Sequence, residues 1–517
     1  MSTPAFFGRD VLSISDFTRE EMIYVLDATR ALVGARGIDP GGFAPLDTVR
    51  SRLVGKTLYY AFFEPSTRTR FSFVQAARRL GLQTLGFSNT AGTSVVKGEP
   101  LKDTLRMVQG YGADAVVMRH PLAGSALWGA NNVDIPILNA GDGAHEHPTQ
   151  TLLDLYTILS LTRADDRWTD LLDLGGLTVS FVGDLKYGRT VHSLVTALSR
   201  FTGVRLRFVA PPSLQLPLEY LEALHAAGVP HDQHTRIDEV IADTDILYMT
   251  RVQKERIPDP TELERVRRAY HLSAEHLRPA RKTMRVLHPL PRDKQNLELD
   301  FSVDETPHAA YYQQAENGLH VRMALLALVL GGLETPRHLR ARPESHATRA
   351  RFEPVADART RPTKPNPQYL FAIDDGTVID HISPGRSGVV RAALRLPVGV
   401  SVLTAENLES KRLPGGKKDL LKIIGYRPGP ATLHQLALLS PDATIALIRE
   451  GRVYEKGNVV LPDYVRELLL CVNPGCISRP EHHERVPSLF ETRSHRPMLF
   501  RCYYCDAQLR ADELVFL

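Results

Sequence analysis

The chain has no cysteine before residue 471, no apolar run long enough to span a bilayer, and no stripe of concentrated charge in its folded-looking regions. The first absence excludes a thiol nucleophile anywhere in the first 470 residues. The longest apolar run, Met323 to Leu330, falls far short of the roughly 20 residues a membrane helix needs and reads as part of a buried helix. Between Met1 and Phe17 no basic segment leads into an apolar one, so no secretion signal is read and a cytoplasmic location is expected. A formal charge of +4 is mild, and Lys and Arg are not interleaved with aromatics along any face. Nucleic acid and membrane are therefore poor candidate partners.

What is present bounds the architecture. A chain of 517 residues is too long for one core and predicts about three domains. All four cysteines fall in the pattern Cys471-x4-Cys476 and Cys502-x2-Cys505. In a reducing compartment two close pairs favour one tetrahedral Zn²⁺ site over two disulfides, the alternative being four unrelated thiols.

The stretch Phe62-Phe63-Glu64-Pro65-Ser66-Thr67-Arg68-Thr69-Arg70-Phe71 organises the N-terminal half. Thr57 to Phe63 is β-branched and aromatic, and Phe71, Val74, Ala77 and Leu80 recur at helical spacing before Gly81. The reading is strand, tight turn, helix. Helix N–H groups, hydroxyls and Arg68 would meet at the turn and form an oxyanion site, most simply for phosphate. A capped helix with a solvated Arg-x-Arg pair is the alternative. Strand-like and helix-like segments alternate around this turn, with Asp16 as a cap for the first helix, which predicts α/β layers on parallel sheets.

Further polar groups sit at predicted strand ends. Arg119 follows the run Asp114 to Met118, where open α/β sheets bind ligands. His147-Pro148-Thr149-Gln150 opens a helix, so the His147 imidazole and Gln150 amide should face one cleft, His147 as a carbonyl polariser. Ser94 and Lys97 lie in the small-residue loop from Ser88 to Glu99, read as either a solvated turn or a lid. Gly183 to Arg189 lacks the third glycine of a dinucleotide fingerprint. Arg189 and Arg251 stand at two separate strand ends and suit a dicarboxylate, which two guanidiniums can grip in forked pairs. Near His288-Pro289-Leu290-Pro291-Arg292 the prolines predict extended backbone with exposed carbonyls. A phosphate cradle, a polarised carbonyl, amide acceptors and two dicarboxylate grips fit acyl transfer from an acyl phosphate to a dicarboxylic amine.

These motifs resemble the catalytic chain of the aspartate carbamoyltransferase family from about residue 5 to 335. The resemblance rests on Ser66 to Arg70, His147 to Gln150, Asp184 to Arg189, Tyr248 to Gln253, His288 to Pro291, and Thr306-Pro307-His308 with Tyr312 to Ala315. It implies two doubly wound parallel-sheet subdomains, carbamoyl phosphate-binding over 1–148 and aspartate-binding over 149–300, with 301–335 returning as a helix to the first. By the same resemblance Ser66, Thr67, Arg68 and Thr69 hold the phosphate of carbamoyl phosphate with Arg119. Arg119, His147 and Thr69 polarise the carbonyl. Gln150 and the backbone at Leu290 and Pro291 hold the carbamoyl nitrogen, and Arg189, Arg251 and Gln253 grip L-aspartate. Ser94 and Lys97 would reach a neighbouring subunit's site, implying a catalytic trimer or a multiple of it, although the loop is one residue shorter than the family form. The ornithine branch has a cysteine where His288 to Pro291 stand here, which favours aspartate.

Residues 336–367 are rich in Pro and Arg and read as a linker, with a nucleic-acid-binding tail as the alternative. Beyond it, Tyr369 to Leu517 resembles the regulatory chain of the same enzyme system, carried by Gly376 to Ile382, Lys418 to Ile423 and the cysteine pattern. This implies an α+β ferredoxin-like domain over 368–465 and a small zinc-ribbon-like domain over 466–517. By resemblance Asp380, Lys422 and Lys456 would meet an allosteric nucleotide. Asn458 stands where the family places arginine, and Ile424-Gly425 replaces a more polar pair, departures expected to weaken, alter or remove that binding.

Overall fold

The computed structural model describes residues 6–34, 42–163, 168, 171–251, 270–292, 298–335, 352–354, 372–394, 396–413, 415–495 and 497–517. Its chain divides into two compact units, Met1–Pro343 with Gly475–Ile477, and Glu344–Pro474 with Ser478–Leu517.

Two parallel sheets organise the first unit. β1 (Thr57–Phe62), β2 (Gln83–Phe87), β3 (Ala115–His120) and β4 (Ile137–Asp142) stand in the order β2-β1-β3-β4. β5 (Asp173–Val182), β6 (Thr202–Val209), β7 (His231–His234), β8 (Ile246–Met249) and β9 (Arg285–Leu287) stand in the order β7-β6-β5-β8-β9. β3, β4 and β8 are buried almost throughout, as parallel sheets covered by helices require. In each sheet the chain steps away on one side of its first strand and later returns on the other, so the order reverses between β1 and β3 and again between β5 and β8. Ligands of open α/β sheets bind at the carboxyl ends of such strand pairs. Ser66 follows β1, Arg119 closes β3, Arg189 follows β5 and Arg251 follows β8.

The flanking helices are α1 (Arg19–Val33), α2 (Leu46–Leu53), α3 (Thr67–Arg79), α4 (Leu101–Gly110), α5 (Ser125–Ala130), α6 (Pro148–Thr162), α7 (Arg189–Leu198), α8 (Leu218–Ala226) and α9 (Tyr311–Val329). The cap of α1 is Thr18, whose side chain accepts from the Glu21 N–H; Asp16 instead closes a capping box with Ser13 one turn earlier. The correction has a local cause, because Thr18 with Glu21 is the better box for the longer helix. α9 packs on α1, α3 and α6, and its run from Val321 to Val329 is buried on every side. Truncating Leu325 there to alanine would cost about 2–5 kcal/mol.

In the second unit β10 (Phe352–Pro354), β11 (Gly376–Ile382), β12 (Val402–Glu409), β13 (Lys417–Ile424), β14 (Thr444–Arg449) and β15 (Arg452–Val459) form one antiparallel sheet ordered β10-β15-β14-β11-β13-β12. With α10 (Ser387–Ala393) and α11 (Pro430–Leu439), the order β14-β11-β13-β12 is that of a ferredoxin-like βαββαβ unit. β10 lies within the stretch read as linker; it pairs with β15 and is itself the edge strand, where Pro354 is tolerated. The other linker residues lie outside the described ones. A second antiparallel sheet, β16 (Tyr464–Arg466), β17 (Leu489–His495), β18 (Met498–Cys502) and β19 (Gln508–Arg510), closes the chain.

Candidate active site

The turn after β1 leaves Ser66 extended at φ −152°, and its hydroxyl makes no capping bond to α3. Helix N–H groups and that hydroxyl are both available to an anion. Thr69 is buried, while Thr67 and Arg68 are exposed at the mouth. Partial desolvation at the mouth, then the neighbouring Arg119, lowers the Arg68 pKa, so the two cations repel each other. An anion between them would relieve that repulsion.

Arg119 is held from two directions: Nη1 donates to the Ala140 carbonyl at 3.2 Å, and Nε lies 3.2 Å from the Glu64 carboxylate. Gly141, at φ +116°, lies between the two halves of the site. A Cβ added there would stand 3.0 Å from Arg119 Nη1 and 3.4 Å from Arg189 Nη2. Arg189 also donates to the Gly143 carbonyl. The missing side chain of Gly141 thus lets a guanidinium from each sheet approach one point.

His147 precedes Pro148 at the first position of α6 and is buried. Its Nδ1 lies 3.4 Å from the Thr149 hydroxyl, and its Nε2 has no partner. Burial, then Arg322, Arg189 and Arg119, push its pKa well below the ordinary value, which keeps the ring neutral. With Nδ1 accepting from Thr149, a neutral imidazole would carry its proton on the unpartnered Nε2. Arg322, buried on α9 over the Phe73 ring, donates to the Ser72 and Thr149 hydroxyls; desolvation brings its pKa to about 9. Gln150 donates through Nε2 to Asp154 at 2.8 Å, and burial raises Asp154 to about 7.

The remaining expectations divide. Leu290 has φ 51°, so the backbone before Pro291 is not extended as the prolines suggested. The Leu290 N–H donates to His288 Nδ1 at 2.8 Å, and that bond ties the turn. Ser94 and Lys97 lie exposed on a 3-10 turn, Ser94–Lys97, and among the described residues neither makes a hydrogen bond or ion pair with Arg68, Arg119 or His147. Arg251 is exposed directly after β8; Gln253 lies outside the described residues.

In the second unit, register puts Val378, Asp380, Lys422, Thr444, Lys456 and Asn458 on one face of the sheet. Ile379, Leu421, Ile423 and Ile445 fill the opposite, buried face. Asp380 is ion-paired at 2.8 Å with Lys418, not with Lys422, and Arg412 reaches the Thr444 hydroxyl and the Asn458 amide. The Cys471, Cys476, Cys502 and Cys505 sulfurs lie within 4.8 Å of one another and all four residues are buried. Cys471 and Cys505 are 3.5 Å apart, far beyond a disulfide bond of about 2.05 Å and near the roughly 3.8 Å edge of a tetrahedral thiolate site. The donor set fits a metal.

The structure places Glu64, Gly141, Asp154, Arg322 and Lys418 beside these groups, and residue types alone had assigned them no role. Two carried a signal: Asp154 is four residues after Gln150 on one helix face, and Arg322 is a cation at the head of the apolar run Met323 to Leu330.

Family models match consecutive stretches of the chain. Residues 9–160 match the carbamoyl-phosphate binding domain of aspartate/ornithine carbamoyltransferases, and 175–329 match the Asp/Orn binding domain. Residues 370–460 and 463–515 match the allosteric and metal binding domains of the aspartate carbamoyltransferase regulatory chain. The chain belongs to the aspartate/ornithine carbamoyltransferase family. The Methanosarcina mazei aspartate carbamoyltransferase catalytic subunit is 45% identical over 331 residues, covering 64% of this chain and 99% of that protein. The Methanothermobacter thermautotrophicus catalytic subunit is 47% identical over 62% of this chain and 95% of its own length. The solved catalytic subunit of M. jannaschii aspartate transcarbamoylase is similar at 42% identity, TM-score 0.55, over 62% of this chain and 98% of that one. The Trypanosoma cruzi enzyme, solved in complex with N-(phosphonacetyl)-L-aspartic acid, is similar at 37% identity and TM-score 0.55, over 64% and 98%. The carbamoyltransferase here is therefore of the aspartate class, EC 2.1.3.2, with regulatory allosteric and metal-binding domains in the same polypeptide.

Proposed function

We propose that the crevice spanning the two parallel sheets transfers the carbamoyl group of carbamoyl phosphate to L-aspartate, giving N-carbamoyl-L-aspartate and phosphate for pyrimidine synthesis. Ser66, Thr67, Arg68 and Thr69 hold the phosphate at the start of α3, with Arg119. His147 donates from Nε2 to the carbonyl oxygen, aided by Arg119 and Thr69. Gln150 and the backbone at Leu290 and Pro291 accept from the carbamoyl nitrogen. Arg189, Arg251 and Gln253 take the two carboxylates of aspartate. The neutral amine attacks the carbonyl carbon, a C–N bond forms, the C–O bond to phosphate breaks, and the amine proton leaves on the phosphate. The oxyanion formed on the way is stabilised by fixed donors in a partly dry site, where they are worth most.

The observation that carries this reading is the buried His147 Nε2, unpartnered and held neutral among three cations. Product analysis of the purified chain supplied with carbamoyl phosphate and either L-aspartate or L-ornithine tests it. Carbamoyl-aspartate alone should form, and His147→Ala should lower its rate by about 10²-fold or more. Turnover of ornithine, or an unaffected variant, would overturn the reading.

Domain boundaries at 148, 300, 335, 367 and 465 accompany this proposal, as does a cytoplasmic location; no helix among the described residues is long and apolar enough to cross a membrane. A catalytic trimer, or a multiple of it, is supported by large exposed apolar side chains on α3, β2, the 94–97 turn and α4, namely Phe71, Leu85, Val96, Met107 and Tyr111. Ser94 and Lys97 would then serve a neighbour's site. The metal is zinc, one per chain, held by Cys471, Cys476, Cys502 and Cys505, where it would tie together the segments that carry them. Asp380, Lys422 and Lys456, with Lys418 and Arg412, offer a basic sheet face to a nucleotide effector.

A further inference from the structure

The two elements assigned above to the carbamoyl nitrogen, Gln150 on α6 and the Leu290–Pro291 turn after β9, belong to different parts of the chain. A buried set of hydrogen bonds joins them. Gln150 Nε2 donates to Asp154 Oδ1 at 2.8 Å, and Gln314 Nε2, from α9, donates to the same oxygen at 2.7 Å. The Gln314 carbonyl Oε1 accepts from the His288 N–H at 2.8 Å. His288 Nδ1 accepts from the Leu290 N–H at 2.8 Å, so its proton is on Nε2 and goes to Glu298 at 2.8 Å. Tyr248 OH completes Asp154 through Oδ2 at 2.7 Å.

Asp154, Gln314, His288 and Tyr248 are each 1% exposed or less, and Glu298 is 6% exposed. A buried network in which every group is satisfied is rigid, because swinging any member would orphan its partner. The network also fixes polarity. With Gln150 Nε2 turned toward Asp154, the amide oxygen Oε1 is the atom left facing the crevice, and an oxygen there accepts from an N–H. The Leu290 N–H is consumed inside the turn and Pro291 has none, so the backbone there has only carbonyls to offer. Both elements therefore present acceptors only, which an amide N–H₂ satisfies and a methyl group does not.

We propose that Asp154 and Gln314 are positioning residues that lock Gln150 and the Leu290–Pro291 turn into one acceptor frame and thereby set selection of a carbamoyl over an acetyl phosphate. The proposal rests on the assignment of Gln150, Leu290 and Pro291 to the carbamoyl nitrogen. Neither positioning residue contacts substrate in it. Each acts through another group, so loss of activity alone would not distinguish it from a structural part.

The distinguishing readout is selectivity. Acetyl phosphate has nearly the shape and the same phosphate as carbamoyl phosphate but a methyl group where the amide nitrogen stands. Calorimetric binding of both to the full chain gives the ratio of their affinities directly, whether or not a variant turns over. Gln314→Leu and Asp154→Leu, which remove the shared acceptors, should each lower the carbamoyl preference about tenfold, with acetyl phosphate affinity within about twofold of the original. Gln314→Glu keeps an acceptor for the His288 N–H but sets a carboxylate against Asp154, and should show the same loss in a milder fold background. Equal weakening of both ligands, or an unchanged ratio in variants that bind normally, overturns the proposal. Gln150→Ala separates the two levels: if it leaves the ratio unchanged the assignment of the carbamoyl nitrogen fails, whereas if it lowers the ratio and the Asp154 and Gln314 variants do not, only the positioning inference fails.

Discussion

Gly141→Ala perturbs the junction of the two half-sites without removing any polar group. The added Cβ would lie 3.0 Å from Arg119 Nη1 and 3.4 Å from Arg189 Nη2, tighter than ordinary contact for the first and at its limit for the second. Arg119 has little room to yield, because the Ala140 carbonyl and the Glu64 carboxylate each hold it at 3.2 Å. A displacement of a few tenths of an ångström in both guanidiniums is the result. Since misplacement by 1 Å can cost about 10²-fold, kcat/KM should fall about tenfold for both substrates. The backbone contributes separately: φ +116° is foreign to alanine and should lower stability by about 1–3 kcal/mol. Gly228→Ala is the control, with φ +68° and nothing within 4 Å of its Cβ. Initial rates and urea titrations on both variants separate strain from site damage. The control should lose comparable stability and keep its activity within about twofold. If Gly141→Ala also stays within about twofold, the convergence of Arg119 and Arg189 on one substrate pair is refuted.

Other outcomes follow from the same structure. The His147 pKa is depressed by burial and by Arg322, Arg189 and Arg119, so nitrogen-15 NMR should find its ring neutral and Nε2-protonated from about pH 6 to about pH 8; a ring titrating within that range contradicts the electrostatics. Asp154 is raised from 3.8 to about 7, so between these values the folded chain holds a proton that the unfolded chain has released. Stability should therefore fall as pH rises through that window, by up to about 4 kcal/mol, and Asp154→Asn should flatten that part of the profile; parallel profiles would contradict it. Chelation should release one metal per chain and expose the four thiols to a disulfide reagent while carbamoyl transfer persists in the catalytic half; thiols that react equally before chelation would contradict a closed metal site.

Much of the catalytic unit was legible because its signals are local. Ser66 to Arg70 reads as strand, turn and helix from periodicity and hydroxyl placement, and β1 followed by α3 is what forms. His147 before Pro148 reads the same way. The cysteine spacing marks a metal site without any three-dimensional knowledge. What periodicity could not supply was long-range pairing. Arg322 meets Thr149 across 173 residues, and Gln314 meets Asp154 across 160, so nothing in either neighbourhood announces the contact. The Leu290 turn misled for a related reason: proline rules predict extended backbone before Pro291, but the His288 ring overrides them with a bond to the Leu290 N–H. In the regulatory half, Asp380 pairs with Lys418 where the register of β11 on β13 shifts between Ile379 and Ile382, a detail that composition cannot reveal.

Binding of a tethered phosphonate–dicarboxylate analogue, compared by calorimetry with its separate phosphonate and succinate halves, tests most directly whether residues on two sheets serve one substrate pair. The intact chain should bind the tethered molecule about a thousandfold more tightly than either half, and Arg68→Ala or Arg251→Ala should each abolish most of that advantage. A tethered analogue that binds no better than its halves, or that ignores both substitutions, would contradict a single shared pocket.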